Sequence, residues 1–171
     1  MTISESARLD SAQFRALLRR QAATVTVVTA AGDPPVGFTA TSFTSVSLRP
    51  PLVSFCLDKG SSSWPTVAAA PHVAVHLLGE GQHEVAQIFA TSGIDRFAAY
   101  PHWRIGPYDV PLLDEAIAWL VCRVVDRVPA GDHAIVLAEP LIGHHHDEEV
   151  APLLYHMGRY ASLASALPTA G

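Results

Sequence analysis

Basic residues are scarce and dispersed: 11 Lys and Arg face 16 Asp and Glu in 171 residues, for a formal net charge of −5. Clustered Lys and Arg supply most nucleic-acid affinity by neutralising phosphates, so no nucleic-acid partner is expected. A small anionic ligand stays possible, because a few hydroxyls and backbone N–H groups suffice for it locally. Cysteine is nearly absent. Cys56 and Cys122 both lie in apolar, strand-like runs, where a free buried thiol is the ordinary state and a disulfide is not expected. No apolar stretch approaches the roughly 20 residues of a membrane span, and Met1-Thr2-Ile3-Ser4-Glu5-Ser6 lacks the basic and apolar regions of a secretory signal. These absences predict a cytoplasmic chain with no membrane association.

Charged residues make up only 16% of the chain against 49% apolar ones, which predicts that another subunit covers part of the surface. A homo-oligomer is expected. There is no internal repeat and no linker, and the length fits one domain able to bury a real core. Several nucleotide and nucleophile signatures are missing. Gly79-Glu80-Gly81 is not continued at the spacing of a dinucleotide fingerprint, no Gly-Lys-Ser/Thr loop exists, and Gly-x-Ser-x-Gly is absent. Nine histidines raise the question of a metal. His72 and His76, four apart in a strand, would stand about 13 Å apart along one face, too far to share an ion. His83-Glu84 opens no His-Glu-x-x-His, because Gln87 holds the last position. His144-His145-His146, followed by Asp147-Glu148-Glu149, reads as a solvated run between strands. No metal site is expected.

Periodicity gives the elements. Asp10-Ser11 ahead of Phe14, Leu17 and Leu18 predicts a capped amphipathic helix to about Arg20, lying on the outside. Thr24 to Thr29 alternates as a strand and breaks at Gly32-Asp33-Pro34-Pro35. Leu52 to Leu57 is a strand. Ser63 and Pro65 predict a helix start running through Ala70, with Ser63 as its cap. His72 to Leu78 returns as a strand, His83 to Ala90 has helical spacing, and Ile94 to Ala99 looks like a further turn or two. Tyr100 to Pro111 reads as a loop. Ala116 to Val128 and Ala134 to Ala138 form a hairpin around Pro129-Ala130-Gly131-Asp132, and Leu153 to Tyr155 is a last strand. Many strands with few short helices predict one mainly β domain over 1–171, a barrel with core at about 12–163 and a frayed tail after Ala164.

The most informative stretch is 37–57: Gly37, hydroxyls at Thr39, Thr41, Ser42, Thr44, Ser45 and Ser47, then Pro50-Pro51 and an apolar strand to Leu57. Short hydroxyls and backbone N–H groups make a cradle for a phosphate or a polar heterocycle. The same residues could equally satisfy their own backbone in a turn. Ser61-Ser62-Ser63 has the same double reading, as a helix cap or as phosphate ligands.

This stretch resembles the flavin-binding segment of the short-chain flavin reductases, the FMN-binding split-barrel family that supplies reduced flavin to two-component monooxygenases. Further pieces follow in the same order: Lys59-Gly60-Ser61-Ser62-Ser63-Trp64-Pro65, Val75-His76-Leu77-Leu78, Phe89-Ala90, Phe97, Gly131-Asp132-His133, Pro152 to Tyr155 and Gly158-Arg159-Tyr160. The resemblance implies a Greek-key split β-barrel with short peripheral helices, acting as a homodimer. It implies that Phe38, Thr39, Ala40, Thr41 and Ser42, with Cys56 and Leu57, line the isoalloxazine and ribityl chain of FMN or FAD. Ser62 and Ser63, the N-terminus of their helix and Lys59 would hold the phosphate, while Phe89 and Ala90 close the site. His133, at the hairpin tip, would stand near the nicotinamide of NADH or NADPH as the catalytic, orienting residue. By its position alone it reads as a polar residue opening a strand. Arg159 and Tyr160 would add a cation and an aromatic face at the pyridine-nucleotide end. Where the family commonly has Asn this chain has His76, so no flavin contact is carried over to it.

The implied activity is hydride transfer from NAD(P)H to flavin, with reduced flavin passed to a partner monooxygenase. Two other readings stay open at this point: a flavoprotein that keeps its FMN and reduces another acceptor, and a non-catalytic flavin- or haem-binding split barrel.

Overall fold

The computed structural model describes residues 8–163, so the expected frayed tail lies outside the described residues. Helix α1 (Ser11–Leu18) starts at Asp10, whose carboxylate accepts from the Gln13 N–H at 2.8 Å while the Gln13 side chain accepts from the Asp10 N–H at 3.2 Å. This reciprocal cap satisfies two of the amides a helix start leaves open. The helix lies outside the barrel with none of its residues buried, and it ends two residues short of the predicted Arg20.

The predicted strand from Thr24 splits into β1 (Ala23–Thr24) and β2 (Thr26–Ala30). Val25 is the crossing point: its N–H bonds the Leu153 carbonyl and its carbonyl accepts from Leu78, so the two halves enter different sheets. The hydroxyl-rich stretch is more extended than a turn, forming β3 (Val36–Ala40) and β4 (Thr44–Leu48) before β5 (Pro51–Asp58). Helix α2 (Trp64–Ala69), β6 (His72–Leu77), α3 (His83–Ala90) and α4 (Arg96–Ala99) follow near their predicted places. The expected loop from Tyr100 instead carries a small antiparallel pair, β7 (Trp103–Ile105) and β8 (Pro111–Leu113). Strands β9 (Ala118–Ala130) and β10 (His133–His145) form a hairpin longer than predicted, and β10 runs into the histidine triplet. His144 and His145 therefore end a strand rather than lie in a loop. Strand β11 (Leu153–His156) is paired by β12 (Arg159–Ser162), which the sequence reading missed.

The main sheet has seven antiparallel strands in the order β3-β2-β6-β9-β10-β5-β4, and β1, β11 and β12 form a second sheet of three. The main sheet curls until β3, at one edge, lies beside β5, next to the other edge. No ladder joins these two strands. They meet through side chains: Phe38 tilts against Phe55 with centroids 5.9 Å apart, and the Ser42 hydroxyl accepts the Cys56 N–H at 2.8 Å. This unzipped seam is the split of the barrel. Phe55, Val28, Val73, Val75 and Val136 fill the interior, and a second cluster of Val27, Leu78, Phe89 and Leu153 packs beneath α3. Each such side chain contributes on the order of 1.5–3 kcal/mol by burial. Among the described residues no helix is long and apolar enough to cross a membrane.

Candidate active site

A cavity of about 680 Å³ sits on the seam. One wall is the end of β3 and the residues after it, Phe38 through Ser42, and the facing wall is the end of β5, Cys56 through Asp58. Gly60, Ser61 and Ser62 close one end, Phe89 and Ala90 arrive from the C-terminus of α3, and His133 stands at the start of β10. Strand register explains the last placement: His133 pairs with Asp58 across β5 and with Ala130 across the two-residue turn Gly131-Asp132. Gly131 has φ +62°, the left-handed backbone that a tight hairpin turn asks of its first central residue and that glycine adopts at least cost.

Some hydroxyls of the cradle are already engaged. Thr39 donates to the Ala86 carbonyl at 2.6 Å, which fastens β3 to α3, and Ser42 holds the seam. Ser61 accepts the Ser63 N–H at 3.2 Å. Thr41 and Ser62 have no hydrogen-bond partner among the described residues, so these two hydroxyls face the cavity unspent. Thr39, Ser42 and Ser61 thus bond the protein itself, while Thr41 and Ser62 stay open toward the cavity.

Four predicted site residues lie elsewhere or act otherwise. Ser63 is only 2% exposed and makes no side-chain cap; its hydroxyl donates weakly to the Gly37 carbonyl at 3.5 Å and accepts from Arg96 at 3.3 Å. The start of α2 offers little to an anion: the Ser63 N–H bonds the Ser61 hydroxyl, the Trp64 N–H bonds the Ser61 carbonyl and Pro65 has no N–H, while in the preceding turn Asp58 takes the Gly60 N–H through its carboxylate and the Ser61 N–H through its carbonyl. Lys59 and Arg159 do not line the cavity, whereas Tyr160 lines a small annex of about 200 Å³ shared with Thr39, Thr41, Ala90 and Tyr155. His76 is fully buried in β6, paired with Val27 of β2, and does not line the cavity. Its Nδ1–H donates to the Val27 carbonyl and its Nε2 accepts the Leu113 N–H, each at 3.0 Å, and burial pushes its pKa down to about 4.

The cation of the cavity is Arg96, which sequence reasoning passed over. Its Nε donates to the Thr91 carbonyl at 2.9 Å and one terminal nitrogen donates to the Gly37 carbonyl at 2.6 Å and to Ser63. Among the described residues it has no carboxylate within ion-pair distance, and its neighbour Asp95 is occupied in capping α4. A half-buried guanidinium held rigidly without a counterion is a candidate anion ligand, and desolvation lowers its pKa from the ordinary arginine value. A lone Arg opening a short helix carries no spacing signal that could have pointed to it. At the other end His133 is 44% exposed, and its Nδ1 bonds the Asp132 carboxylate at 2.7 Å. That carboxylate is held below its ordinary pKa chiefly by this bond. Since a carboxylate can only accept, Nδ1 carries the proton and Nε2 is left to face a ligand.

No group of three or more metal-ligating side chains occurs among the described residues. The arrangement is instead a split barrel whose cavity is lined by hydroxyls and apolar faces, with Asp58 in one wall and Arg96 as a fixed cation. The chain belongs to the family described as flavin reductase like domain, which matches residues 18–164. It is 45% identical over 161 residues to an NADH:FMN oxidoreductase of Rhodococcus qingshengii, covering 91% of this chain and 83% of the relative. It is 39% identical over 155 residues to the reductase component of 4-nitrophenol 4-monooxygenase/4-nitrocatechol 2-monooxygenase of Rhodococcus opacus, covering 89% and 80% of the two chains. The structure of the NADH:FAD oxidoreductase SgcE6 of Streptomyces globisporus C-1027, in complex with NAD and FAD fragments, superposes with a TM-score of 0.86 at 35% identity, over 96% of this chain and all of that one.

Proposed function

We propose that this chain is an NAD(P)H-dependent flavin reductase that takes FMN or FAD into the seam cavity and supplies the reduced flavin to a partner monooxygenase component in the cytoplasm. The observation that carries the reading is the polarity of the cavity. An uncharged polar heterocycle fits between the β3 and β5 walls, where Thr41 offers its hydroxyl and Phe38, Leu57 and Phe89 offer apolar faces. A phosphate fits at the other end, against Arg96 and the unspent hydroxyl of Ser62. Arg96 takes the part that Lys59 was expected to play. When bound, the flavin supplies the redox chemistry by accepting hydride from reduced nicotinamide.

The protein's work is to orient and to exclude. Thr39 and Ser42, through their bonds to α3 and β5, fix the wall against which a ring would lie, and a fixed wall lowers the entropic cost of bringing two reactants together. His133, its Nδ1 anchored on Asp132, presents Nε2 at the rim to orient and polarise the nicotinamide. Tyr160 contributes an aromatic face in the annex beside Thr39 and Thr41. A homodimer completes the open side of the seam in this reading, consistent with the high apolar fraction. The test is a pair of measurements on the purified protein: flavin titration by fluorescence quenching, then NADH consumption with and without FMN. Binding together with FMN-dependent consumption is expected; binding without consumption would leave a carrier. Light scattering should return a mass near twice 18.2 kDa.

A further inference from the structure

The histidine triplet takes no part in the flavin reading, and the fold gives it a defined shape. His144 pairs with Trp119 across the β9–β10 ladder, and past the end of the strand the His146 N–H still bonds the Ile117 carbonyl at 3.1 Å. Positions 144 and 146 therefore share one face of an extended backbone. Their imidazoles meet edge to face, with centroids 5.4 Å apart. The Trp119 indole stands 5.8 Å from the His144 ring and is itself packed on Val110, Leu112 and Val121, so His144 rests against a fixed neighbour. His145 alternates to the other face, where its Nδ1–H donates to the His146 carbonyl at 3.1 Å. The ring nitrogens of His144 and His146 have no hydrogen-bond partner among the described residues, and both side chains are exposed.

The charge along this segment suits a cation. No Lys or Arg occurs between Arg127 and Arg159, whereas Asp147, Glu148 and Glu149 follow the triplet directly. With metal–nitrogen bonds of about 2.0–2.1 Å, two imidazoles on one ion set their centroids about 4.5–5 Å apart, so a small turn of the exposed rings brings one nitrogen of each onto a shared ion. We propose that His144 and His146 form a two-histidine site for a divalent transition-metal ion of the copper, nickel or zinc type, with water in the remaining positions. Imidazole selects these ions, while magnesium and calcium ask for oxygen ligands. Two protein ligands make the site open and exchangeable rather than structural. Neither histidine lines the seam cavity, so the site stands apart from the flavin reading.

The experiment adds Cu2+ to the untagged full chain, without flavin, and follows tryptophan emission, because an open-shell ion held beside Trp119 quenches that indole. Saturable quenching at micromolar copper is expected, reversed by a chelator and resisted by competing Zn2+ but not by Mg2+. His144→Ala and His146→Ala should each weaken copper binding by at least about tenfold, since each removes one of two ligands. Trp119→Phe should abolish the saturable quenching while equilibrium dialysis still counts the bound ion. Far-UV circular dichroism checks that each variant folds, and either histidine variant decides the matter if the other does not. Absence of saturable quenching in the parent overturns the proposal, as does binding that survives both histidine variants or quenching that persists in Trp119→Phe. A loss in His145→Ala as large as in His146→Ala would make the triplet an unstructured chelator rather than this pair, and also overturns it.

Discussion

Two histidines of the main sheet, in β6 and at the start of β10, behave in opposite ways. His76 is enclosed in β6 with both ring nitrogens bonded to backbone, of Val27 and Leu113, and its pKa falls to about 4. His133 stands at the seam with one nitrogen anchored on Asp132 and the other free for a ligand. The same contrast extends to the surrounding walls. Around β2, Thr26 and Thr29 give their hydroxyls to the Ala40 and Pro111 carbonyls, whereas along the seam Thr41 and Ser62 keep theirs. A polar side chain in this fold is structural where the sheet completes its hydrogen bonds and available where the sheet fails to close. Residue type does not distinguish the two cases, and neither does placement on a strand.

The largest effect that would break this contrast is on stability. His76→Ala leaves the Leu113 N–H and the Val27 carbonyl unpaired in the core and opens a cavity, so it should cost about 3–5 kcal/mol in urea unfolding. A cost like that of a surface substitution would mean that the two bonds do not hold the wall. The parent should also lose stability in mild acid. Unfolded, His76 titrates near 6.5 and folded near 4, so unfolding takes up a proton in that window. His76 favours folding fully above pH 6.5, and this contribution declines as pH falls toward 4, by on the order of 3 kcal/mol. Unfolding midpoints measured across that range should lose this slope in His76→Gln.

On the seam the expected effects are on ligands. Arg96→Gln removes the fixed cation and should weaken flavin binding by roughly 10- to 100-fold in an equilibrium titration, since hydrogen bonds to charged groups contribute about 1.5–3 kcal/mol. An equal effect from Lys59→Gln would return the phosphate to the residue first expected. Removing the imidazole in His133→Ala should raise the KM for NADH or lower turnover by about tenfold while flavin affinity changes little, the loss of one orienting hydrogen bond. If Arg159→Ala collapsed the kinetics and His133→Ala did not, the rim histidine would be a structural residue like His76.

Much of this was legible in the residues. Alternation and turn chemistry located β5, β6 and α3, because these elements carry their own hydrophobic period, and the hairpin tip could be read from Gly131. The split at Val25 was not legible, since it depends on β11, which pairs with β1 from more than a hundred residues away in the chain. Strand β12 was missed although it pairs locally with β11, because its four residues carry no clear alternation. In the site, the hydroxyl stretch and His133 stood out by composition and order. Ser63 misled, because Ser before Trp-Pro looks like a cap while the Gly37 carbonyl and Arg96 claim its hydroxyl. Arg96 was silent for the converse reason: its meaning lies in three acceptors brought together by folding and in the absence of an acidic neighbour among the described residues.

In this reading the seam cavity brings a flavin and a reduced pyridine nucleotide together. An anaerobic mixture of NADH and excess FMN with a catalytic amount of the protein tests it most directly, through the NADH and oxidised-flavin absorbance bands. Both bands should bleach in equal molar amounts over many turnovers, and His133→Ala should slow the bleaching by about tenfold. Tight FMN binding with no loss of either band would contradict it.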